Sequence, residues 1–301
     1  MPTRDANKTK ITILRAENLG KRPWLIHGFS TRVGGFSRVY GGNSLNLGFT
    51  HDDSKSVVER NRAAFLRELG ATSSLPTRVR RTAAHNWRLV TLRQIHSDIM
   101  HCVESAPENP LTGDGLLTAT PGLLLAIQTA DCLPVILVDA KRHAVGVFHA
   151  GWRGTVKRIV EKGVGEMHRR FGSRPGDLKA TIGPGIHRCC YEVGEEIRQK
   201  FNSQFSYGAG LFHERKDSDP IRDKYPLLFL TARPPGRSQL PKKIFLDLVE
   251  ANRRQLLAAG VPAKSIEASP LCTNCRPDLL FSYRAERGRT GRMMGVAGIR
   301  D

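Results

Sequence analysis

The amino-acid sequence predicts an α+β fold in which mixed β-sheets are flanked by helices. Short apolar runs rich in leucine, valine and isoleucine alternate irregularly with longer segments whose apolar residues recur at helical spacing. Some runs follow one another directly and others are separated by a helical segment, which favours a mixed sheet. Because no internal repeat is present, we expect residues 1–301 to form a single elaborated domain.

Five segments are predicted to be strands. Three of them are continuous apolar runs, which are typical of fully buried strands. These three runs comprise residues 123–127, 133–138 and 144–149. The segments 88–96 and 179–182 are weaker candidates.

Four segments are predicted to be helices because their apolar residues form a stripe at helical spacing. The predicted helices comprise residues 54–69, 155–171, 193–205 and 247–260. Gly70 and Gly172 directly follow the first two, as glycines commonly follow helices. The fourth opens with Asp247 as N-cap and Glu250 three residues later, a pattern similar to a capping box.

Two stretches interrupt these elements. Residues 72–87 are basic in their second half and lack periodicity, whereas residues 206–243 are rich in proline, glycine and charge. Such compositions are typical of exposed loops. We expect both stretches to be loop insertions within the single domain.

The composition favours a cytoplasmic protein that binds anions. The chain carries 47 Lys and Arg against 28 Asp and Glu, a net charge of +19, which attracts anions through a long-range field. The polar N-terminal segment does not resemble a signal peptide, and the longest apolar stretch is interrupted by polar residues, so no membrane partner is expected. The 6 cysteines do not resemble a secreted disulfide framework.

Three segments place a potential metal ligand beside a predicted strand end or tight turn. His96 closes a strand-like run, Cys132 lies between two apolar strands, and His149 precedes the glycines at which a buried strand ends. Two histidines and one cysteine can hold zinc and leave its fourth position open. Each residue alone is equally compatible with ordinary packing. Asp131 could orient a ligating histidine or act as an acid, although a strand residue next to Cys132 should point to the opposite face.

Seven short motifs occur in order along the chain. The most distinctive are His-Ala-Gly-Trp-Arg-Gly at 149–154 and Thr-Ala-Asp-Cys-Leu-Pro at 129–134. The other five comprise residues 27–37, 44–48, 182–186, 189–194, and 281–284 together with 290–292. From about residue 27 to the C-terminus, the sequence therefore resembles the polyphenol-oxidase or laccase-domain family, also called YfiH-type, whose members are multifunctional purine nucleoside phosphorylases.

This resemblance implies a fold, a ligand set and an activity. The fold would be of the YfiH/CNF-like type, similar to that of certain cysteine-dependent toxin deamidases. His96, Cys132 and His149 would be the catalytic residues and would hold one zinc per chain. The activities would be phosphorolysis of adenosine, inosine, guanosine and 5′-methylthioadenosine, and deamination of adenosine. Copper is not expected, because a multicopper oxidase needs several His-x-His pairs and the sequence contains none.

An enzyme of this kind must bind phosphate and a purine nucleoside. Arginine suits phosphate because its guanidinium donates two parallel hydrogen bonds. Arg32, Arg153 and Arg284 lie in the motifs and are the candidate phosphate or substrate ligands, although a surface arginine need have no such role. Asn46 is a candidate partner of a ribose hydroxyl or a base edge, and it is equally suited to an ordinary turn.

Two other function classes fit parts of the sequence. Cys132 as nucleophile with His149 as base would make a Cys–His hydrolase or amidase, acting on a peptidoglycan precursor or another amide. A metal requirement would separate this class from the zinc enzyme. The positive charge would also suit an RNA-binding protein, but no recognised RNA-binding module is present, so nucleic acid is not an expected partner.

Overall fold

The structure is a computed structural model and describes residues 10–20, 22–71, 87–216 and 242–300. The chain forms two compact units, Met1–Ile186 with Leu248–Asp301 and His187–Asp247. The formation of one domain over residues 1–301 stays a prediction. The predicted insertion at 72–87 lies outside the described residues except for Trp87.

The described residues form strands and helices in an irregular order. The strands, in chain order, are β1 (Ile13–Leu14), β2 (Leu25–Ser30), β3 (Val33–Ser37), β4 (Arg88–Val90), β5 (Leu92–Arg93), β6 (Met100–Cys102), β7 (Leu111–Thr112), β8 (Gly115–Thr118), β9 (Leu123–Thr129), β10 (Leu133–Asp139), β11 (Ala144–Ala150), β12 (Leu178–Ile182), β13 (Glu192–Val193), β14 (Phe212–Lys216), β15 (Lys242–Leu246), β16 (Ile266–Ala268) and β17 (Met293–Ile299). The α-helices are α1 (Lys55–Leu69), α2 (Trp152–Val156), α3 (Ile159–Phe171), α4 (Glu195–Gln204) and α5 (Leu248–Ala258). Short 3-10 helices comprise Pro175–Asp177, Gly208–Leu211 and Ala263–Ser265. No helix in the described ranges is both long enough and apolar enough to cross a membrane.

Two large sheets dominate the first unit. A five-stranded sheet has the order β1-β2-β17-β9-β4, and a six-stranded sheet has the order β16-β12-β10-β11-β8-β6. Each sheet mixes antiparallel pairs with parallel ones, such as β4 with β9 and β6 with β8. The prediction of an α+β fold with mixed sheets is therefore confirmed.

The two large sheets share one apolar core. Leu125 and Ile127 of β9 pack in the same buried cluster as Ile136 and Val138 of β10, and all four side chains are fully buried. These residues alternate along their strands, so every second side chain points toward the facing sheet. The strands are nevertheless apolar throughout, because helices cover their outer faces.

Helices pack on the outer faces of both sheets. Phe65 and Leu69 of α1 contact the five-stranded sheet in a second buried cluster. On the six-stranded sheet, α3 approaches so closely that a Cβ on Gly163 would lie 2.6 Å from the Phe148 ring. Glycine at this position lets the helix lie close against the strand.

Two predicted helices of the first unit show why local signals succeed or fail. Ser54 caps α1 by accepting from the Val57 N–H at 3.4 Å, and Gly70 ends it with a φ of 79°. The predicted helix at 155–171, in contrast, is broken at Arg158, whose φ is 63°. The Gln255 side chain donates to the Thr155 carbonyl at 2.8 Å, so this contact from α5 competes for an acceptor that a continuous helix would use.

The second unit contains a three-stranded antiparallel sheet in the order β13-β15-β14. Phe201 of α4 packs against Phe205 and Phe212 in its apolar centre. Val193 lies in β13, so the predicted helix at 193–205 starts later than expected.

The described ends of the stretch 206–243 contain the 3-10 helix, β14 and the start of β15. That the stretch is an insertion into the domain stays a prediction. Charged residues such as Glu214 and Arg215 on the solvent-exposed strand conceal its period from a sequence pattern. Residues 217–241 lie outside the described residues.

Candidate metal centre

The three predicted metal ligands come together at one end of the six-stranded sheet. β10 and β11 are antiparallel neighbours in which Leu133 pairs with Ala150, so Cys132 lies next to the end of the strand that carries His149. His96 reaches the same point from the loop after β5. One donor atom from each of the three residues lies within 4.8 Å of the other two, and the two imidazole rings are 4.8 Å apart between centroids.

The carboxylate of Asp114 holds the loop that carries His96. It accepts the backbone N–H groups of Ile95, His96 and Ser97 at 3.3, 3.1 and 2.6 Å, and the Ser97 hydroxyl at 2.7 Å. This clamp stabilises a left-handed backbone at His96, whose φ is 58°. The prediction of a strand over 88–96 therefore fails at its end, because a buried carboxylate captures N–H groups that a sheet would otherwise pair.

The same carboxylate orients the second histidine. Nδ1 of His149 donates to Oδ1 of Asp114 at 2.7 Å, and both side chains are buried. A proton on Nδ1 leaves Nε2 as the atom that can bind a metal. Asp114 thus positions two of the three candidate ligands at once.

The candidate ligands lie close enough together to shift one another's pKa values. The pKa of Cys132 falls and that of His149 rises. Burial by itself raises the pKa of the Cys132 thiol, but the charge of His149 and hydrogen bonds with His149 and His96 outweigh burial and lower it. Burial by itself lowers the pKa of His149, but the Cys132 thiolate and the Asp114 carboxylate raise it. The Cys132 sulfur is therefore held as the thiolate, which is the form that binds metals.

Gly151 makes room for the three ligands. A Cβ on Gly151 would lie 2.7 Å from Sγ of Cys132 and 3.2 Å from Cδ2 of His96. Any other residue would push against both groups. This glycine is therefore part of the centre although it contributes no donor atom.

The residues present fit a zinc ion. Two imidazoles and one thiolate are donors that zinc prefers, and three protein ligands leave a fourth position for a substrate or water. His149 is only 4% exposed, whereas His96 is exposed and Cys132 is half-buried. Solvent and ligands therefore reach the centre from the side of His96.

Asp131 lies beside the centre without contacting its histidines. Its carboxylate accepts from the Thr273 hydroxyl at 2.6 Å and from the Arg284 backbone N–H at 2.7 Å. Its φ of 97° places it in a turn rather than in a strand, so the expected opposite-face geometry does not apply. The orienting role considered for Asp131 is performed by Asp114.

Arg153 and Arg284, two of the predicted substrate ligands, are both exposed. Arg153 is close to the candidate metal ligands along the chain, and Arg284 is linked by a hydrogen bond to the residue before Cys132. Arg153 follows Gly151 by two residues, and its guanidinium lies 4.5 Å from the centroid of the Trp152 ring. Arg284 is tied to Asp131, next to Cys132, through its backbone N–H. The role of both arginines as substrate ligands stays a prediction.

Arg32 and Asn46 are engaged within the protein. The Arg32 guanidinium donates to the carbonyls of Pro277 and Tyr40 at 2.7 and 2.6 Å and pairs with Glu286 at 3.2 Å. Asn46 is fully buried, and its amide bonds to groups that include the Asp53 carboxylate at 2.9 Å. Their role as substrate ligands stays a prediction.

Sequence reasoning missed Asp114 and the pair Gln94 and Gln128. Gln94 donates to the Gln128 carbonyl at 2.8 Å and accepts its N–H at 2.7 Å, which joins the His96 loop to β9. A signal for Asp114 was present, because a lone carboxylate between Gly113 and Gly115, directly before an apolar strand, is poorly explained by solvent exposure. No local signal marks the glutamines.

A family model and several named proteins are similar in sequence to this chain. The family model described as "Multi-copper polyphenol oxidoreductase laccase" matches residues 26–300. The purine nucleoside phosphorylase YlmD of Geobacillus stearothermophilus is 34% identical over 298 residues, covering 93% of this chain and 96% of that protein. The adenosine deaminase RL5 from an unknown prokaryotic organism is 36% identical over 179 residues, covering 60% of this chain and 59% of that protein.

Comparison with solved structures points to the same family. The crystal structure of the hypothetical protein YfiH from Bacillus licheniformis matches with a TM-score of 0.74 and 31% identity, covering 98% of this chain and 100% of that one. The resemblance inferred from the seven motifs is thus confirmed. The chain belongs to the multi-copper polyphenol oxidoreductase laccase family, which is the laccase-domain or YfiH-type family.

Proposed function

We propose that this chain is a zinc-dependent purine nucleoside phosphorylase that also deaminates adenosine. The observation that carries the proposal is the convergence of His96, Cys132 and His149 with Asp114 behind them. The names of the relatives, one a purine nucleoside phosphorylase and one an adenosine deaminase, support both activities. The proposed nucleosides are adenosine, inosine, guanosine and 5′-methylthioadenosine.

The chain's own residues supply positioning and charge. Zinc held by the three ligands would act as a Lewis acid that polarises an oxygen atom and lowers the pKa of water toward ~7. Asp114 keeps His149 oriented through their hydrogen bond. The carboxylate of Asp114 stays ionised, because hydrogen bonds from His149 and Ser97 lower its pKa against the effect of burial. The exposed side of the centre at His96 admits the substrate.

Phosphate binding is assigned to the exposed arginines of the motifs. Arg153 and Arg284 are exposed, Arg153 lies four residues after His149 in the chain, and the Arg284 backbone bonds to Asp131 next to Cys132. A phosphate would accept two hydrogen bonds from each guanidinium group. Arg32 has a supporting role in this proposal, because its ion pair with Glu286 holds the segment that follows Arg284. Asn46 likewise supports the neighbouring backbone, since its Oδ1 accepts the Arg292 N–H at 2.9 Å.

Zinc is proposed rather than copper despite the description of the family model. A multicopper site needs several His-x-His pairs, and the sequence contains none. The mixed set of two histidines and one thiolate also matches zinc sites that keep an open position. We further propose a cytoplasmic location, where nucleosides and phosphate are available, with no nucleic-acid partner.

Product identification tests the proposal. Inosine incubated with phosphate should yield hypoxanthine and ribose 1-phosphate, because phosphate takes the place of the purine on the ribose. Adenosine should also yield inosine and ammonia when phosphate is omitted. Free ribose formed without phosphate would instead show a hydrolase and would refute the phosphorylase.

Metal analysis of matched cysteine variants tests the ligand set. We expect one zinc per chain, lost in Cys132→Ser and kept in Cys102→Ser. Cys102 is a suitable control because it is half-buried on β6 and lies in no part of the centre. Equal zinc content in the two variants would contradict the assignment of Cys132.

A further inference from the structure

A cavity lies at the end of the five-stranded sheet that is opposite to the candidate metal centre. It has a volume of about 510 Å³, and its charged lining includes Arg15, Arg22 and Arg300. We call it the arginine cavity. Its size falls within the range of small-molecule sites, which is roughly 300–1,000 Å³.

The arginine cavity is separate from the candidate metal centre. β17 runs from Met293, which pairs with Thr129 near Cys132, to Ile299, which pairs with Leu25 at the cavity. Arg300 follows directly. A strand of this length spans roughly 20 Å, so one ligand of nucleoside size does not occupy both places.

The lining of the cavity holds three arginines against one carboxylate, that of Glu17. No ion pair joins Arg15, Arg22 or Arg300 to an acidic side chain within the part of the chain that the structure describes. Partial burial and the charge of Arg300 lower the pKa of Arg15, which indicates that the two guanidinium groups repel each other. An anion between them would relieve this repulsion.

The donors of these arginines are only partly used. Arg15 donates through one nitrogen to the His27 carbonyl, which leaves its other N–H groups for a ligand. Nε of Arg300 is shielded from solvent and has no hydrogen-bond acceptor among the described residues. A buried N–H without an acceptor is uncommon in native proteins and calls for a partner.

The rest of the wall is mostly apolar, with His27 and Glu17 as its other polar residues. Ala16, Pro23 and Leu25 line the cavity between the arginines. Glu17 also lines it, and its side chain is exposed. A molecule that fits this wall has a charged group for the arginines and an apolar or flat body for the remaining surface.

We propose that the arginine cavity binds a small organic phosphate that carries a ring or another apolar body. A dianionic phosphate matches two or three guanidinium forks, whereas a carboxylate leaves positive charge uncompensated. A concave cavity suits a small molecule, since a nucleic acid needs an extended basic surface with stacking aromatics. This site is independent of the proposed phosphorylase activity.

Isothermal titration of the full chain with phenyl phosphate, in a buffer free of phosphate, tests the proposal. We expect phenyl phosphate to bind, benzoate to bind about tenfold more weakly and phenol not to bind, because the dianion provides the affinity. In Arg15→Gln/Arg300→Gln, phenyl phosphate should bind at least about tenfold more weakly. Benzoate binding as tight as phenyl phosphate would overturn the assignment to a phosphate.

The control removes the same charge elsewhere. Arg142→Gln/Arg174→Gln alters two exposed arginines outside the cavity and should change the affinity by less than about twofold. An equal loss in both double variants would show a general charge effect and overturn the site. The single variant Arg15→Glu should also abolish binding, because it replaces a positive charge of the cavity by a negative one. Unchanged binding in this variant would contradict the proposal.

Cys132→Ser separates this site from the metal centre. Phenyl phosphate should bind this variant as it binds the unmodified chain, because the arginine cavity contains no part of the centre. Loss of binding in Cys132→Ser would place the probe at the metal centre and overturn the proposal. A failure of inosine phosphorolysis would leave these binding results unchanged, so the two proposals are tested apart.

Discussion

At the scale of single residues, Asp114 determines the geometry of the candidate metal centre. Its fully buried carboxylate receives three backbone N–H groups, one hydroxyl and the His149 imidazole. The left-handed backbone of His96 and the orientation of His149 therefore depend on one side chain. Replacement of that side chain should disturb metal binding more than replacement of any acid nearby.

Asp114→Asn is expected to lower the zinc affinity by roughly 10- to 100-fold, because groups that orient ligating histidines have effects of that size. The affinity is measured by competition with a chelator of known strength, and circular dichroism checks the fold. Asp131→Asn is the matched control, since asparagine tolerates a positive φ and Asp131 contacts neither histidine. Similar zinc affinities for the two variants would show that Asp114 does not position the ligands.

His27 makes the stability of the fold depend on pH. Burial and the charges of Arg15 and Arg22 lower its pKa to about 4, and the opposing charge of Glu267 offsets them only in part. Nε2 accepts the Ala16 N–H at 3.3 Å, so the native state needs the neutral ring. The unfolded chain binds a proton near pH ~6.5, and stability is therefore lost as the pH falls from about 6.5 to about 4.

The size of this loss can be measured with His27→Gln, whose amide oxygen replaces the acceptor and does not titrate. Between about pH 7 and about pH 5, the unmodified chain should lose about 2 kcal/mol more unfolding free energy than the variant. Urea unfolding at both pH values gives the two differences. Equal losses would mean that His27 takes up its proton at the same pH in the native state as in the unfolded chain.

At the scale of secondary-structure elements, the junction between β11 and α2 requires a glycine. Gly151→Ala should lower the zinc affinity about tenfold or more, because its Cβ would displace Sγ of Cys132 or the His96 ring. Gly165→Ala is the control, since a Cβ on this residue of α3 would meet nothing within 4 Å. The control should keep its zinc affinity and gain up to about 1 kcal/mol of stability from helix propensity. Unchanged zinc binding in Gly151→Ala would show that the ligands move apart without loss.

The elements that local patterns determine could be predicted from the sequence. The three apolar runs form β9, β10 and β11, and α1 lies between Ser54 and Gly70 as predicted. The failures arise from contacts between distant residues. Gln255 reaches Thr155 across 100 positions and helps break a helix, and Asp114 reaches His96 across 18 positions and ends a strand. No window of neighbouring residues contains such information.

The same limit applies to the candidate site. The three candidate metal ligands could be identified because their motifs resemble a family, and the structure brings them together. The candidate substrate ligands were chosen by residue type and by their place in the motifs, so buried Asn46 and internally paired Arg32 were grouped with exposed Arg153 and Arg284. Burial and hydrogen-bond partners, which a sequence does not display, separate these two kinds.

At the scale of the whole molecule, a metal at the centre would link three segments that are far apart in sequence. His96 precedes Cys132 by 36 positions and His149 follows it by 17. Each ligand belongs to a different strand or loop of the first unit. A ligand that binds only the folded state stabilises it by an amount that grows with the logarithm of its free concentration relative to its dissociation constant. Zinc should therefore protect the entire unit against unfolding.

Thermal unfolding measures this protection. At a free zinc concentration about 100 times the dissociation constant, the gain is about 2.7 kcal/mol, which for a chain of this size raises the Tm by roughly 4 °C. Chelation should reverse the shift. Cys102→Ser should show the same shift, whereas Cys132→Ser should show none, because its binding site lacks the thiolate. A shift of equal size in Cys132→Ser would mean that zinc stabilises the protein from another site. The centre formed by His96, Cys132 and His149 would then not be the zinc site.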